Sequence, residues 1–413
     1  MLNLLKKREK LSTLLQGSLS VRSVRKILYL KDVLYLSLFS FGGAQAHLTL
    51  FFKILVEKRR YLTNEELLEL NSFCNILPGP ASTQTIIAIG FQIGGPSLAF
   101  LTLLVWALPA TIVMTGAAIS LEYLKESLVV ARFIQPMGVA FVAFAAVKIF
   151  RVAVNTKTAI FLFIGSTIIC YFITYPGIFP VVLLISGAAT SLRFRKHPKE
   201  KEEKWKIEWG NFVLYASIFV GAALLGQILD YKPIKLFENF FRNGSYVFGG
   251  GQPLSGLLYQ EFVLFKHYLD RSEFMAGYAI LQALPGPSFS FSSFVGSLSL
   301  REFGLGGQIA GGLIGAAGIF LPGTIMIFFM IRFWEKLKKY RPVRASLEGI
   351  NAASGGIILS TAFVLIKPFL LQPLPDTYIN ILIFASTFIL LITTKIPPPY
   401  FILAGLFFGI LFA

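Results

Sequence analysis

Charge is scarce in this chain of 413 residues, where Asp, Glu, Lys and Arg together make up 14%. A soluble protein of that length needs such residues to cover its surface, because they are the ones almost never buried. Only two cysteines occur, Cys74 and Cys170, each inside an apolar segment, which excludes a disulfide framework. No His-Glu-x-x-His, Gly-x-Ser-x-Gly or Gly-Lys sequence is present. That removes the zinc-protease and serine-hydrolase signatures, and with them the Walker A loop that would draw on ATP.

What the chain has is apolar length. It is 55% hydrophobic and 15% aromatic, and its charges sit in clumps between stretches of about 17–25 residues, long enough to span a bilayer. Six such segments (33–52, 70–93, 96–118, 131–153, 158–174 and 176–192) precede a charged linker, Arg193–Lys206. Seven follow it: 208–230, 234–256, 275–300, 305–330, 346–366, 377–393 and 397–413. The pattern predicts an all-α polytopic membrane protein. Its parts would be a basic cytoplasmic tail (1–32), transmembrane halves at 33–192 and 208–413, and a cytoplasmic linker at 193–207. The first 31 residues are too basic and too broken for a signal peptide. They read as a partly helical tail lying on anionic lipid.

The formal charge of +17 invites a nucleic-acid partner, but its placement argues against one. Basic residues gather in Met1–Lys31, Lys53–Arg60, Arg193–Lys206 and Arg332–Arg344, the positive-inside pattern of a membrane chain. The expected address is the cytoplasmic membrane, with the N-terminus inside.

The two halves repeat each other. Phe41-Gly42-Gly43-Ala44-Gln45 answers Phe248-Gly249-Gly250-Gly251-Gln252 at an offset of 207, and Leu77-Pro78-Gly79-Pro80 answers Leu284-Pro285-Gly286-Pro287 at the same offset. Tyr61-Leu62 and Glu66 are matched by Tyr268-Leu269 and Glu273, and Leu108-Pro109 later by Leu321-Pro322. Chance likeness between apolar stretches does not keep Gly, Pro, Gln, Tyr and Glu in register, so this is duplication. Charge then orients the halves. Lys53–Arg60 is basic whereas its counterpart Gln260–Glu273 is acidic; Glu122–Arg132 is nearly neutral whereas Arg332–Arg344 is basic. A loop that reads as cytoplasmic in one half reads as external in the other, the mark of an inverted-topology repeat. If the N-terminus and Lys53–Arg60 are both inside, segment 33–52 cannot cross fully. The sequence favours four re-entrant hairpins with nine crossings over thirteen crossings.

Pro-Gly-Pro in an apolar run cannot be continuous helix, since proline lacks the N–H and displaces the residue before it. A half-helix restarts beyond each break, at Ala81-Ser82-Thr83 and at Ser288-Phe289-Ser290. Its free N–H groups and positive dipole end suit an anion. The expected substrate-binding set is Gly42, Gly43, Gln45, His47, Pro78, Gly79, Pro80, Ser82 and Thr83 in the first half. In the second it is Gly249, Gly250, Gln252, Pro285, Gly286, Pro287, Ser288 and Ser290. A proline kink that only shapes packing is the plainer reading of one break; two matched breaks favour a substrate site. His47 has Leu254 as counterpart and reads as a structural histidine, a ligand or a proton carrier. Arg59 and Arg60 are topology anchors or anion attractors. Glu66 and Glu273 are helix caps, as Thr63-x-x-Glu66 suggests, or proton-coupling groups. Gly307, Gly311, Gly315 and Gly318 form a helix-packing face. No metal or cofactor is expected.

At these residues the chain resembles the chromate ion transporter family. Phe41-Gly-Gly-Ala-Gln-Ala-His47, Val56-Glu-Lys-Arg-Arg-Tyr-Leu62 and Leu77-Pro-Gly-Pro80 are similar to its first-half signature, and Phe248-Gly-Gly-Gly251 and Leu284-Pro-Gly-Pro287 to its second. The family's usual proline after Phe-Gly-Gly is Ala44 here. The resemblance, over roughly 33–155 and 240–365, implies export of chromate, coupled to protons, and chromate resistance. Sulfate or another oxyanion is the alternative cargo and an uncoupled anion channel the alternative mechanism; a homodimer is left open. The charge reversal predicts that a cysteine placed at Ser272 reacts with a membrane-impermeant label from outside, while one at Lys199 does not. The opposite pattern would refute the inverted arrangement.

Overall fold

The computed structural model describes residues 21–41, 43–123, 133–173, 175, 178–192, 209–247, 252–331, 341–371, 373–394 and 396–411. Over these the chain is helical and carries no strand. It is an all-α polytopic membrane protein. In the first half α1 spans Val21–Phe39 and α2 Ala44–Phe51, the latter continuing as a π-helical turn, Phe52–Lys58. Then come α3 (Asn64–Ile76), α4 (Ala81–Tyr123, two helical stretches joined by a kink at Gly95, where φ is 76° and ψ −167°), α5 (Ile134–Ala153), α6 (Lys157–Phe172) and α7 (Ile178–Ser191). The second half opens with α8 (Gly210–Ile228), α9 (Lys232–Tyr246), α10 (Gln252–Leu258, continued by a π turn at Tyr259–Phe265) and α11 (Arg271–Ala283). A 3-10 turn, Ser288–Ser290, leads into α12 (Phe291–Ser299). The chain closes with α13 (Gly304–Met330), α14 (Arg341–Leu370), α15 (Leu374–Thr393) and α16 (Pro398–Leu411).

The described residues of the thirteen apolar segments are thus mostly helical, with helix interrupted at both Pro-Gly-Pro motifs. Among the described residues four helical stretches are long and apolar enough to cross a bilayer: Ala81–Leu121, Arg301–Met330, Ala345–Lys367 and Asp376–Thr393. Helix α1 starts at Val21, inside the stretch read from sequence as a tail, and it buries Tyr29, Asp32 and Val33 in the core. The linker 193–207, apart from which nothing separates the halves in sequence, lies outside the described residues.

Side chains on either side of each break touch one another, so the chain turns back there. Across the first, Arg59 reaches Asp32 and the rings of Tyr29 and Tyr61 meet at 5.5 Å. Across Pro78–Pro80, Thr85 Oγ1 donates to Asn71 Oδ1 at 3.4 Å. In the second half Glu261 accepts from Arg242 at 2.7 Å, and the rings of Phe274 and Phe291 lie 4.9 Å apart. The 13 residues of α3 are only about 20 Å long, short of the roughly 30 Å hydrocarbon core. In each of these pairs the helices on the two sides of the break lie against one another.

The offset of 207 runs through the backbone as well as the sequence. Both π turns, at Phe52–Lys58 and Tyr259–Phe265, obey it. So do the positive-φ residues Arg60 and His267, both at 53°, and Gly79 and Gly286, at 118° and 99°. Capping boxes close Thr63 with Glu66 and Asp270 with Glu273, again 207 apart.

The glycine stripe on α13 is a packing face. A Cβ on Gly311 would lie 2.2 Å from the Gly296 carbonyl oxygen, and one on Gly315 would lie 2.3 Å from that of Ser292. Backbone meets backbone between α12 and α13, a contact only glycine permits. Gly311→Leu is therefore expected to prevent assembly of the second half. Size-exclusion chromatography of the detergent-extracted variant should show aggregation, and a sharp native peak would refute this packing role.

Candidate functional site

The site is built from two helix starts in the first half. Helix α1 ends at Phe39, and Gly43 then takes φ 77° and ψ −168°, a region essentially confined to glycine. Helix α2 restarts with His47 N–H donating to the Gly43 carbonyl at 3.0 Å. The N–H groups of Ala44, Gln45 and Ala46 precede that first bond, and no side chain caps them. At the second break Leu77 is extended, Gly79 has positive φ, and α4 restarts with Gln84 N–H on the Pro80 carbonyl at 2.8 Å. Here Ala81, Ser82 and Thr83 hold the N–H groups that precede the first helical bond.

One contact joins these two starts. His47 Nδ1 lies 2.9 Å from Ser82 Oγ, tying the first turn of α2 to the first turn of α4. Trp106 backs the pair. Its indole meets the imidazole edge-on at 5.3 Å and donates from Nε1 to Thr83 Oγ1 at 3.0 Å, while Ser37 Oγ donates to the Trp106 carbonyl at 2.8 Å. Gln84 Nε2 donates to the Pro78 carbonyl at 2.7 Å and reaches the Gly323 carbonyl at 3.3 Å. His47, Ser82, Thr83 and Gln84 are all buried, His47 being 1% exposed. Ser40 Oγ, His47 Nε2 and Gln84 Oε1 are buried there without a hydrogen-bond partner.

The halves meet at the same place through reciprocal backbone bonds. Gly79 N–H donates to the Val247 carbonyl at 2.7 Å, and Gly286 N–H donates to the Ser40 carbonyl at 2.9 Å. Each Pro-Gly-Pro glycine thus docks on the residue just before the other half's Phe-Gly-Gly. Such exchange, a on b and b on a, is what a two-fold relation produces. The two glycine N–H groups are consequently committed to protein carbonyls. After the second proline of each break, the Ser290 N–H is likewise taken, by the Pro287 carbonyl at 3.0 Å, while Ala81, Ser82 and Thr83 precede the first helical bond of α4.

The second half repeats the backbone but not the chemistry. The positions of His47, Ser82 and Gln84 are held there by Leu254, Phe289 and Phe291, all buried. Ser290 Oγ donates to the Pro287 carbonyl at 2.7 Å, closing the 3-10 turn, so its hydrogen is spent inside the chain. Ser288 is half-buried, as are Pro285 and Gly286. Gln45 and Gln252 stand in the first turns of α2 and α10; Gly42, Gly249 and Gly250 lie outside the described residues.

The charged candidates are engaged elsewhere. Arg59 bonds Asp32 from Nη2 at 2.9 Å, and Tyr61 donates to the other carboxylate oxygen at 2.9 Å. The hydrogen bond and charge of Asp32 raise the guanidinium pKa above its ordinary value. Arg59 is thus a paired group, not a free cation, while Arg60 is exposed in a left-handed turn. Glu66 accepts from the Thr63 N–H at 2.7 Å, and Glu273 accepts from the Asp270 N–H at 2.9 Å and pairs with Arg301, which is the capping role.

Ser40, Gln84, Trp106 and Asp32 escaped the sequence reading. Ser40 and Gln84 flank the two breaks, a signal that position alone carried. Asp32 is the one acid between Glu9 and Glu57. A second buried acid, Glu261 in the π turn of α10, accepts from Arg242 at 2.7 Å and Asn243 at 2.6 Å, with no counterpart in the first half to reveal it. Two surface grooves of about 370 and 550 Å³, bordered by Tyr171 and Lys367 in one and by Leu225 and Phe237 in the other, share no residue with the junction.

Paired broken helices inside a multi-pass bundle are the build of secondary transporters. The family model described as Chromate transporter matches residues 28–192 and 234–410, and the chain belongs to that family. It is similar to the chromate transport protein of Cupriavidus metallidurans, 23% identical over 81% of either chain. The probable chromate transport protein of Synechococcus elongatus is 24% identical over 92% of this chain and 93% of its own. No solved structure matches. Family members are transporters, not enzymes.

If Trp106 holds Thr83 through its indole N–H, Trp106→Phe should cost about 0.5–1.5 kcal/mol, the net worth of one hydrogen bond, plus packing. A lowered thermal unfolding midpoint would show it, and an unchanged midpoint would remove this bond from the architecture of the site.

Proposed function

We propose that this chain is a secondary transporter that exports chromate across the cytoplasmic membrane. The anion is held at the junction of the two helix starts and its passage is coupled to protons. The observation that carries the reading is the His47–Ser82 contact of 2.9 Å. It brings together two helix N-termini, each with a positive dipole end, where among the described residues no carboxylate contacts the His47–Ser82 pair. The names of the relatives support chromate as the cargo. Sulfate presents the same four oxygens and two charges, so it is the natural competitor.

Closure of the junction favours a transporter over a channel. The residues that meet there are buried, and on this reading an anion enters when the halves move. An inverted relation between the halves, with the N-terminus, Lys53–Arg60 and Arg193–Lys206 cytoplasmic, gives that motion its two end states. An inside-negative potential then favours export, by about 2.3 kcal/mol per charge for each 100 mV.

A site made of helix ends predicts a particular mutational profile in everted-vesicle uptake of chromate with sulfate competing. Ser82→Ala should weaken binding by about 1–3 kcal/mol, the range for a hydrogen bond to a charged group. Gly286→Leu should abolish transport, since a Cβ there already meets Ala110 Cβ and the Ser37 oxygen at 3.3 Å. Arg60→Gln should leave the apparent affinity nearly unchanged. Normal transport by Gly286→Leu together with loss of binding by Arg60→Gln would replace the helix-end site with a basic one.

A further inference from the structure

Resting on that reading, we propose that His47 takes up a proton when the anion binds, so that dianion and proton occupy the site together. The groups that face His47 are few. From α4 come the Ser82 hydroxyl at 2.9 Å and the Trp106 ring edge at 5.3 Å. From the end of α1 comes the Ser40 carbonyl, beside the imidazole, and from α2 itself the Phe51 ring at 6.4 Å. Among the described residues no carboxylate and no cation contacts the ring. With the ring neutral, Nδ1 is satisfied by Ser82, while Nε2 is buried without a hydrogen bond of good geometry.

A second proton on that ring would create an imidazolium in a water-poor interior with no protein counter-charge, which is costly. A dianion at the adjoining helix starts supplies the missing counter-charge. The same dianion, partly neutralised by the imidazolium, is in turn easier to desolvate. Each ligand therefore strengthens the other, and by linkage the coupling is reciprocal. The balance is simple: one proton leaves solvent, binds the free imidazole nitrogen as the anion binds, and is released when the anion departs. Glu66 and Glu273, the carboxylates matched between halves, are bound up in helix caps and do not compete for this role.

The sign follows directly. The imidazole's affinity for protons is higher with anion bound than without, so anion binding is tightest when the ring can protonate and weakens as pH rises. The second half has Leu254 at the matching position, so one proton per anion is the stoichiometry.

Titration calorimetry of the purified full-length protein with sulfate tests this, because sulfate stays a dianion across the window in which histidine changes charge, about pH 5 to 8. Heats measured in two buffers of different ionisation enthalpy count the protons taken up. Wild-type protein should take up close to one proton per sulfate in the upper part of the window, with affinity falling toward tenfold per pH unit. His47→Gln, which keeps a hydrogen-bonding side chain, should bind with no proton uptake and no pH slope. Sulfate binding by wild-type protein without proton uptake would overturn the proposal while leaving the helix-end site intact. An unaltered slope in His47→Gln would move the proton to another group and overturn it equally. Failure of wild-type protein to bind either sulfate or chromate at any pH would sink the site itself, and this inference with it.

Discussion

A backbone N–H or C=O left unpaired in hydrocarbon costs several kcal/mol, so a membrane helix can be broken only where something else satisfies the freed groups. This chain leaves helix at Ser40 and at Leu77–Pro80, and again at Val247 and Leu284–Pro287, and it solves the problem by exchange. The Gly79 N–H is taken by Val247 of the other half, and the Gly286 N–H by Ser40. The breaks therefore depend on each other, because each half supplies the acceptor for the other half's glycine N–H. Glycine is needed at these two positions because φ is 118° and 99°, and because Gly79 packs against Gly323 with no room for a Cβ.

The hairpins that deliver these breaks are held at their outer ends by buried acids. In the first half Asp32 on α1 grips Arg59 beyond α2. In the second Glu261 within the π turn of α10 grips Arg242 on α9. Their residues differ, yet the job is shared: each pins the two arms of one hairpin. Removing Arg242 would take the nearest cation from the buried Glu261 carboxylate, which is costly, whereas Arg59 is exposed and its loss from Asp32 costs less. Arg59 is held by Asp32, and Tyr61 shares that carboxylate.

Much of this was legible in the sequence because the physics is local. Proline and glycine announce broken helix by their own backbone limits, and the break positions are found at Leu77–Pro80 and Leu284–Pro287 as the sequence requires. Thr63-x-x-Glu66 announces a cap, and the cap is there. The apolar segments became helices for the same reason. What could not be read was set by partners far along the chain. The pairing of His47 with Ser82 spans 35 residues, and Trp106 with Thr83 spans 23, neither at a helical spacing that a pattern betrays. Ser290 looked like an open donor, but a 3-10 turn, which has no distinctive sequence, folds its hydroxyl back onto Pro287. The stretch 1–32 reads as a partly helical basic tail, and from Val21 it is helix with Tyr29 and Asp32 buried, contacts that its basic residues do not announce.

The duplication also explains why one half can carry the chemistry while the other carries the frame. Two equal polar junctions would need two sets of buried hydroxyls, amides and imidazoles satisfied in the same bilayer interior, each unsatisfied group adding cost. Here the second junction is filled with Leu254, Phe289 and Phe291, which pack without hydrogen bonds. The reciprocal backbone bonds remain intact because they involve main chain alone and are indifferent to which side chains have diverged. Evolution of the polar wall in one half is thus decoupled from maintenance of the fold. For the proposed transport cycle this has a mechanical consequence. Any movement of one half against the other that opens the junction must loosen the Gly79–Val247 or the Gly286–Ser40 bond. The freed N–H and carbonyl then have to be met by entering water or by the anion. Since the Ser40 carbonyl lies beside the His47 ring, opening on the Gly286 side exposes the polar junction itself, whereas opening on the Gly79 side exposes its packed counterpart first. The two faces of such a transporter are therefore not equivalent, even though the backbone that builds them is.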